Sequence, residues 1–232
     1  MKTNALLLAL LLPGIAFAGR PLSTEDASTL DDKACQLESW VDRTRGNVTD
    51  FFVVPACSYF NTEFQLGAAR TREAGSSFTS ATFFQAKYAF KSVDDGAWGV
   101  GLVAGLARAL EREAKNNWGD PYFIVPVSFG LGADKETRAL LHLNIGTTRN
   151  RADARNLTLW GIAIEKPVTE RLTLLAEGFG ENSRNPFIRA GGRYTLFDKF
   201  DVDLSYVTRS GGAKEDRYWS LGFHFETDPF LP

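Results

Sequence analysis

The sequence has little of what metal sites, nucleic-acid binding or helical membrane spans require. Only two of its 232 residues are histidine and two are cysteine, and no His lies near a Cys, so we predict no metal site. The formal net charge is −2, without the Lys and Arg excess expected for a nucleic-acid partner. No Gly-rich run precedes a helix and a Lys, so no phosphate loop and no cofactor are predicted.

Long apolar runs are also absent, except at the N-terminus. There, Lys2 precedes a short apolar run that ends in Ala16-Phe17-Ala18, the A-x-A form of a cleavage site. The run is too short to cross a bilayer as an anchor. We therefore predict a signal peptide at 1–18 and an exported mature chain beginning at Gly19.

Beyond residue 32, short stretches of alternating apolar and polar residues follow one another, and no helical period is sustained. The last stretch, 218–225, alternates without a break. Its apolar face ends in aromatic residues and its other face is small and polar, which suits a strand between lipid and water. The pattern predicts about twelve strands, at 33–42, 50–56, 59–69, 78–91, 97–107, 122–131, 138–148, 157–166, 171–180, 187–196, 200–208 and 218–225.

This arrangement predicts an all-β fold, a transmembrane antiparallel β-barrel formed by residues 33–232. An even strand number, mostly longer connections after odd strands, and aromatic residues near the strand ends are typical of bacterial outer-membrane barrels. The alternative is a soluble all-β protein, which would turn its apolar face inward. We expect the barrel to lie in the outer membrane of a Gram-negative bacterium, closed by the strand ending at Phe225.

Two features of the sequence leave alternatives open. Residues 19–32 are polar and lack periodicity, so we predict an irregular periplasmic segment, either a flexible tail or a plug in the barrel mouth. Cys35 and Cys57 fall on neighbouring predicted strands, and a disulfide and two buried thiols are both compatible with export.

The polar faces of the predicted strands supply the candidate site residues, which we expect to face the lumen. Both signs of charge are present, so these groups either pair across the interior or line a solute path. The set comprises Glu38, Glu63, Gln85, Lys87, His142, Asn144, Glu165, Glu177, Arg189, Arg193, Asp201 and Asp203.

A resemblance adds to this interpretation. The segments Arg20–Ala27, RPLSTEDA, and Cys35–Trp40, CQLESW, resemble the start of a group of exported proteobacterial proteins. That group is similar to the outer-membrane barrels of the "MetA-pathway of phenol degradation" or putative transporter family. The resemblance implies an outer-membrane barrel that takes up small compounds, aromatic ones among them, and it supplies no functional residues.

Together these features predict a passive channel or transporter for a small solute. The alternative is a structural or interaction barrel without transport. A barrel hydrolase needs a His and a Ser within hydrogen-bond reach, and His142 has no Ser beside it on its strand, so we predict no enzymatic activity. The expected partners are outer-membrane lipid, lipopolysaccharide at the cationic outer loops, and the barrel-assembly machinery. The oligomeric state stays open.

Overall fold

The fold is known from a computed structural model, which describes residues 20–73, 75–76, 78–110, 119–151 and 154–232. The predicted signal peptide lies outside these residues. Within them, twelve strands form one closed barrel, which confirms the predicted fold. The strands are β1 Cys35–Thr44, β2 Val48–Tyr59, β3 Thr62–Glu73, β4 Thr79–Lys91, β5 Trp98–Ala109, β6 Asp120–Leu131, β7 Ala139–Asn150, β8 Arg155–Pro167, β9 Leu172–Glu181, β10 Phe187–Phe197, β11 Phe200–Arg209 and β12 Tyr218–Glu226. A short 3-10 turn, Lys214–Asp216, precedes β12.

The barrel closes where β12 pairs with β1. Trp40 of β1 lies opposite Gly222 of β12, and Gly222 in turn lies opposite Asp203 of β11. These pairings are antiparallel, as they are between the other neighbouring strands. The last strand of the chain is therefore the closing strand, as its unbroken alternation predicts.

The two faces of each strand differ in character, as β12 illustrates. Leu221 is 55% exposed on the outer face, whereas Ser220 beside it in the sequence is fully buried in the interior. Since successive side chains point to opposite faces of a strand, the apolar set covers the outside and the polar set fills the inside. A soluble barrel would have the opposite arrangement, so the outer surface is built for contact with lipid.

Residues 20–30, which we call the plug, lie inside the barrel. Arg20 is 4% exposed, Thr24 1% and Glu25 0%, and none of the eleven residues is exposed. The segment has no regular secondary structure, as predicted, but it is not a lead-in outside the barrel. Of the two alternatives that the sequence left open, a flexible tail and a plug, this segment forms a plug. The polar wall offers it hydrogen-bond partners that a free tail would lack.

Residues 31–34 connect the plug to β1 near the barrel end where the C-terminal residues 227–231 lie. Lys33 N donates to Ser58 O at 2.9 Å, and Phe230 N donates to Lys33 O at 3.0 Å. Cys35 and Cys57 lie directly opposite each other on β1 and β2 and form a disulfide. The plug is thus tethered to a covalently reinforced part of the wall.

Candidate functional site

The candidate site is the interior wall together with the plug that occupies it. All twelve side chains that the alternation assigns to the lumen lie in the interior. Nine are buried, and Asn144, Arg193 and Asp201 are half-buried. Most of them bond to the plug or to another wall residue that does.

Glu177 on β9 binds the plug most extensively. Its carboxylate oxygens accept hydrogen bonds from Ser23 N, Thr24 N and Thr24 Oγ1, each at 2.9 Å. Arg189 on β10 lies opposite Glu177 and pairs with it, Nη1 to Oε1, at 3.2 Å. The same Nη1 also donates to Pro21 O. Backbone groups of the plug therefore satisfy the remaining hydrogen-bonding atoms of this buried ion pair. A buried ion pair needs such additional hydrogen bonds in order to be favourable.

Lys87 on β4 supplies the positive charge for the acidic part of the plug. Its Nζ lies 3.4 Å from Glu25 Oε2 and also pairs with Asp26. Gln85 Nε2 donates to Glu25 Oε1 at 2.9 Å, and Tyr122 donates to Gln85 Oε1 at 2.8 Å. Glu25 does not belong to a membrane-spanning strand, and burial raises its pKa to about 8 although Lys87 opposes that rise.

The wall also recognises the plug backbone itself. Asn144 on β7 donates to Glu25 O and accepts from Glu25 N, each at 2.7 Å. Glu63 on β3 accepts from Leu30 N at 3.1 Å. Because these contacts use peptide groups, they position the plug along the lumen without depending on its side chains.

A Ser–His pair lies beneath the plug, although the sequence shows no Ser beside His142. Ser128 of β6 pairs with His142 of β7 in the sheet, and Ser128 Oγ lies 2.8 Å from His142 Nδ1. Ser128 Oγ also accepts from Ala27 N at 2.8 Å. The pair faces the lumen rather than the lipid, and its hydroxyl is engaged by the plug. Only the cross-strand register could have revealed this neighbour, since the two residues are 14 apart in sequence.

Arg20 lies in a pocket formed by β1, β11 and β12. Its Nε lies 3.2 Å from Asp203 Oδ2, and its Nη2 pairs with Asp203 Oδ1. Both Nη atoms lie 3.2 Å from Ser220 Oγ. The guanidinium carbon lies 4.7 Å from the centroid of the Trp40 ring. A Cβ added at Gly222 would lie 2.5 Å from Nη2, so the absence of a side chain there makes room for the guanidinium group.

The backbone of Arg20 is held by further wall residues. Arg20 N donates to Glu38 Oε1 at 2.9 Å, and Arg193 Nη1 donates to Arg20 O at 3.0 Å. Arg193 Nη2 pairs with Glu165 at 2.9 Å and its Nε lies 4.0 Å from Asp201. These predicted lumen residues thus form one connected network around the start of the plug.

Two side chains of the Arg20 pocket were absent from the candidate set. Trp40 shares the inward parity of Glu38 on β1, and Ser220 shares that of Gly222 on β12. The alternation could have identified both, but an aromatic ring and a hydroxyl carry no charge to single them out.

A small cavity lies beside the start of the plug. A cavity of about 40 Å³ lies against Ser23 and is lined by residues including Asn144, Gly161, Phe179 and Arg209. That volume holds about one water molecule, whereas small-molecule sites are typically about 300 Å³ or larger. The described interior is therefore closed to a solute at this position while the plug is in place.

Comparisons with known proteins concern the family and the fold. A family model described as "Uncharacterised conserved protein UCP029691" matches residues 6–224. No curated protein sequence matches the chain. Among solved structures, the KdgM porin is similar with a TM-score of 0.60 and 9% identity over 82% of this chain and 98% of that chain. The NanC porin is similar with a TM-score of 0.58 and 11% identity, over 82% and 98%. Omp33 of Acinetobacter baumannii is similar with a TM-score of 0.54 and 8% identity, over 84% and 99%. These likenesses show that the chain has the fold of an outer-membrane porin.

Proposed function

Since the chain belongs to this uncharacterised family and has a porin fold, we propose that it is a passive channel for a small polar solute, closed by its plug. The channel is non-enzymatic in this proposal and lies in the outer membrane. Contact of its cationic loops with lipopolysaccharide, and recognition of β12 by the assembly machinery, remain predictions.

The observation that carries this proposal is how the plug is held. Charged and polar side chains from β1, β3, β4, β6, β7, β9, β10, β11 and β12 bond to it. The described apolar cluster that includes a plug residue is small, joining Leu22 to Ala163 and Leu175. Water and ions can replace polar contacts as the plug leaves, whereas an apolar core would resist such exposure. A barrel with a purely structural role has no need of a polar interior that can be vacated in this way.

The charges of the wall favour a polar solute. The candidate set holds six carboxylates and three cationic side chains, besides His142, Gln85 and Asn144. Transfer of an aromatic hydrocarbon past such groups would leave them unsatisfied. The aromatic cargo implied by the phenol-pathway resemblance is therefore less compatible with this wall than a charged or hydrogen-bonding one.

A pair of glycine substitutions tests whether the plug closes the channel. A Cβ at position 161 on β8 would lie 2.6 Å from Thr24 Oγ1, so Gly161→Ala should push the plug away from the wall. A Cβ at position 178 on β9 would meet nothing closer than 3.9 Å, which makes Gly178→Ala a matched control.

The measurement is single-channel conductance in planar bilayers with KCl, after heat-modifiable migration has shown that each variant is folded. We expect brief, rare openings for the natural chain and for Gly178→Ala, and frequent openings for Gly161→Ala. A variant lacking residues 20–30 should stay open. If the folded deletion variant conducts no ions, the protein is not a channel. If all four proteins conduct alike, the plug does not close it.

A further inference from the structure

The pocket that holds Arg20 has the chemistry of a guanidinium receptor, and it belongs to the wall rather than to the plug. We propose that this pocket, which we call the guanidinium site, is the recognition site for a guanidinium-bearing solute that competes with Arg20 for it. The site consists of Trp40, Asp203, Ser220 and Gly222. The inference rests on the proposed channel function and names the class of solute.

The carboxylate of Asp203 sets the preference for a planar, forked cation. Its two oxygens face two nitrogens of the Arg20 guanidinium group, Nε and Nη2, side by side. Two parallel N–H donors match a carboxylate in a way that the single ammonium of a lysine cannot. Ser220 Oγ accepts from Nη1 and Nη2, the adjacent edge of the group.

Trp40 provides the aromatic face of the site. Its ring stacks on Phe52, with centroids 4.4 Å apart and planes 9° from parallel. Trp40 is 7% exposed and its ring is held in place by this stacking, so it presents a fixed surface to the cation. Trp is the aromatic side chain with the strongest attraction for a cation over its face.

The geometry of the site comes from the barrel sheet. Strand pairing brings Trp40, Gly222 and Asp203 to one level on β1, β12 and β11. These residues would therefore remain together if the plug withdrew, leaving a carboxylate, a hydroxyl and an aromatic face around an empty space shaped for a guanidinium group.

A second carboxylate lies next to the site. Asp42 pairs with Ser220 between β1 and β12, one inward-facing position farther along the lumen than Trp40. Its Oδ1 is buried and has no hydrogen-bond partner among the described residues. A buried carboxylate oxygen without a donor is costly. A solute with a second donor group near its guanidinium, such as the ammonium of arginine or of a basic peptide, would satisfy it.

Binding of L-arginine to the folded protein in detergent tests the proposal by equilibrium dialysis. The proteins are the natural chain, Arg20→Ala, and Arg20→Ala combined with Asp203→Asn. Citrulline serves as the neutral isostere of arginine, and lysine as the cation without a fork. Heat-modifiable migration shows which variants are folded.

We expect Arg20→Ala to bind arginine at least about tenfold more tightly than the natural chain, because its internal competitor is gone. Adding Asp203→Asn should weaken binding by about tenfold or more, since a charge-assisted bidentate contact is lost. Citrulline and lysine should bind weakly. Equal binding of arginine and citrulline, or no effect of Asp203→Asn, would overturn the proposal.

A second measurement on the natural chain covers the case in which Arg20→Ala does not fold. Arginine added to the bilayer chamber should raise the fraction of time that the KCl channel is open, and citrulline at the same concentration should not. If the natural chain conducts KCl, equal open times with arginine and with citrulline overturn the proposal. Dialysis needs no conduction, so KCl conductance without arginine binding refutes only the solute class, and arginine binding without conductance refutes only the channel function.

Discussion

Glu177 is the wall residue whose neutralisation should release the plug with least change in shape. Its carboxylate accepts from Ser23 N, Thr24 N and Thr24 Oγ1. Glu177→Gln keeps the length of the side chain and one carbonyl oxygen. It removes the charge and one acceptor oxygen, and it leaves Arg189 without its ion-pair partner.

The size of the effect follows from these contacts. A hydrogen bond to a charged group contributes about 1.5–3 kcal/mol and a neutral one about 0.5–1.5 kcal/mol. Weakening the contacts that share one carboxylate should therefore cost about 1.5–3 kcal/mol of plug docking, since such contacts are not additive. At about 1.4 kcal/mol per decade, the population of undocked plug should rise roughly 10- to 100-fold.

The assay is the fraction of open time in planar bilayers, with Glu181→Gln as the matched control. Glu181 lies on the same strand and pairs with Arg184 and Ser183 rather than with the plug. Glu177→Gln should open the channel about tenfold or more often than the natural chain, and Glu181→Gln should not. An open fraction of Glu177→Gln equal to that of the control would refute the assignment of Glu177 as a plug anchor.

Two further predictions concern assembly and stability. Phe225→Asp should abolish insertion into the outer membrane, because it puts a charge on the lipid face of the closing strand. Removal of Asp228–Pro232 should leave a barrel that still shows heat-modifiable migration. The reverse pattern would contradict the prediction that the assembly machinery recognises β12 at Phe225. Replacing Cys35 and Cys57 with Ser removes a disulfide that links residues 22 positions apart. The free energy of unfolding, measured by urea titration in detergent, should fall by about 3 kcal/mol. An unchanged midpoint would contradict a bridged pair.

The sequence contained enough to predict the barrel and the composition of its wall. In a strand, alternate residues face opposite sides, so the position of Glu177 or Asp203 in its strand already places it on the polar face. Twelve predicted strands correspond to twelve observed strands, although several bounds differ by a few residues. The ends are the least certain part of such an assignment, since pairing can extend beyond the alternating residues, as it does in β2 to Val48 and Tyr59.

The plug could not be derived in the same way. Residues 20–30 have no period, and their partners are distant in sequence: Arg20 and Asp203 are 183 positions apart, and Ser23 and Glu177 are 154 apart. The Ser128–His142 pair likewise depends on the register between two strands.

By itself, the sequence determined which side chains share a face of each strand, because that depends only on a local period of two. The tertiary structure decided what fills the lumen. Strand register and closure set the distances between groups far apart in the chain, and those distances turn a set of inward charges into anchors for a plug and a pocket for a guanidinium group.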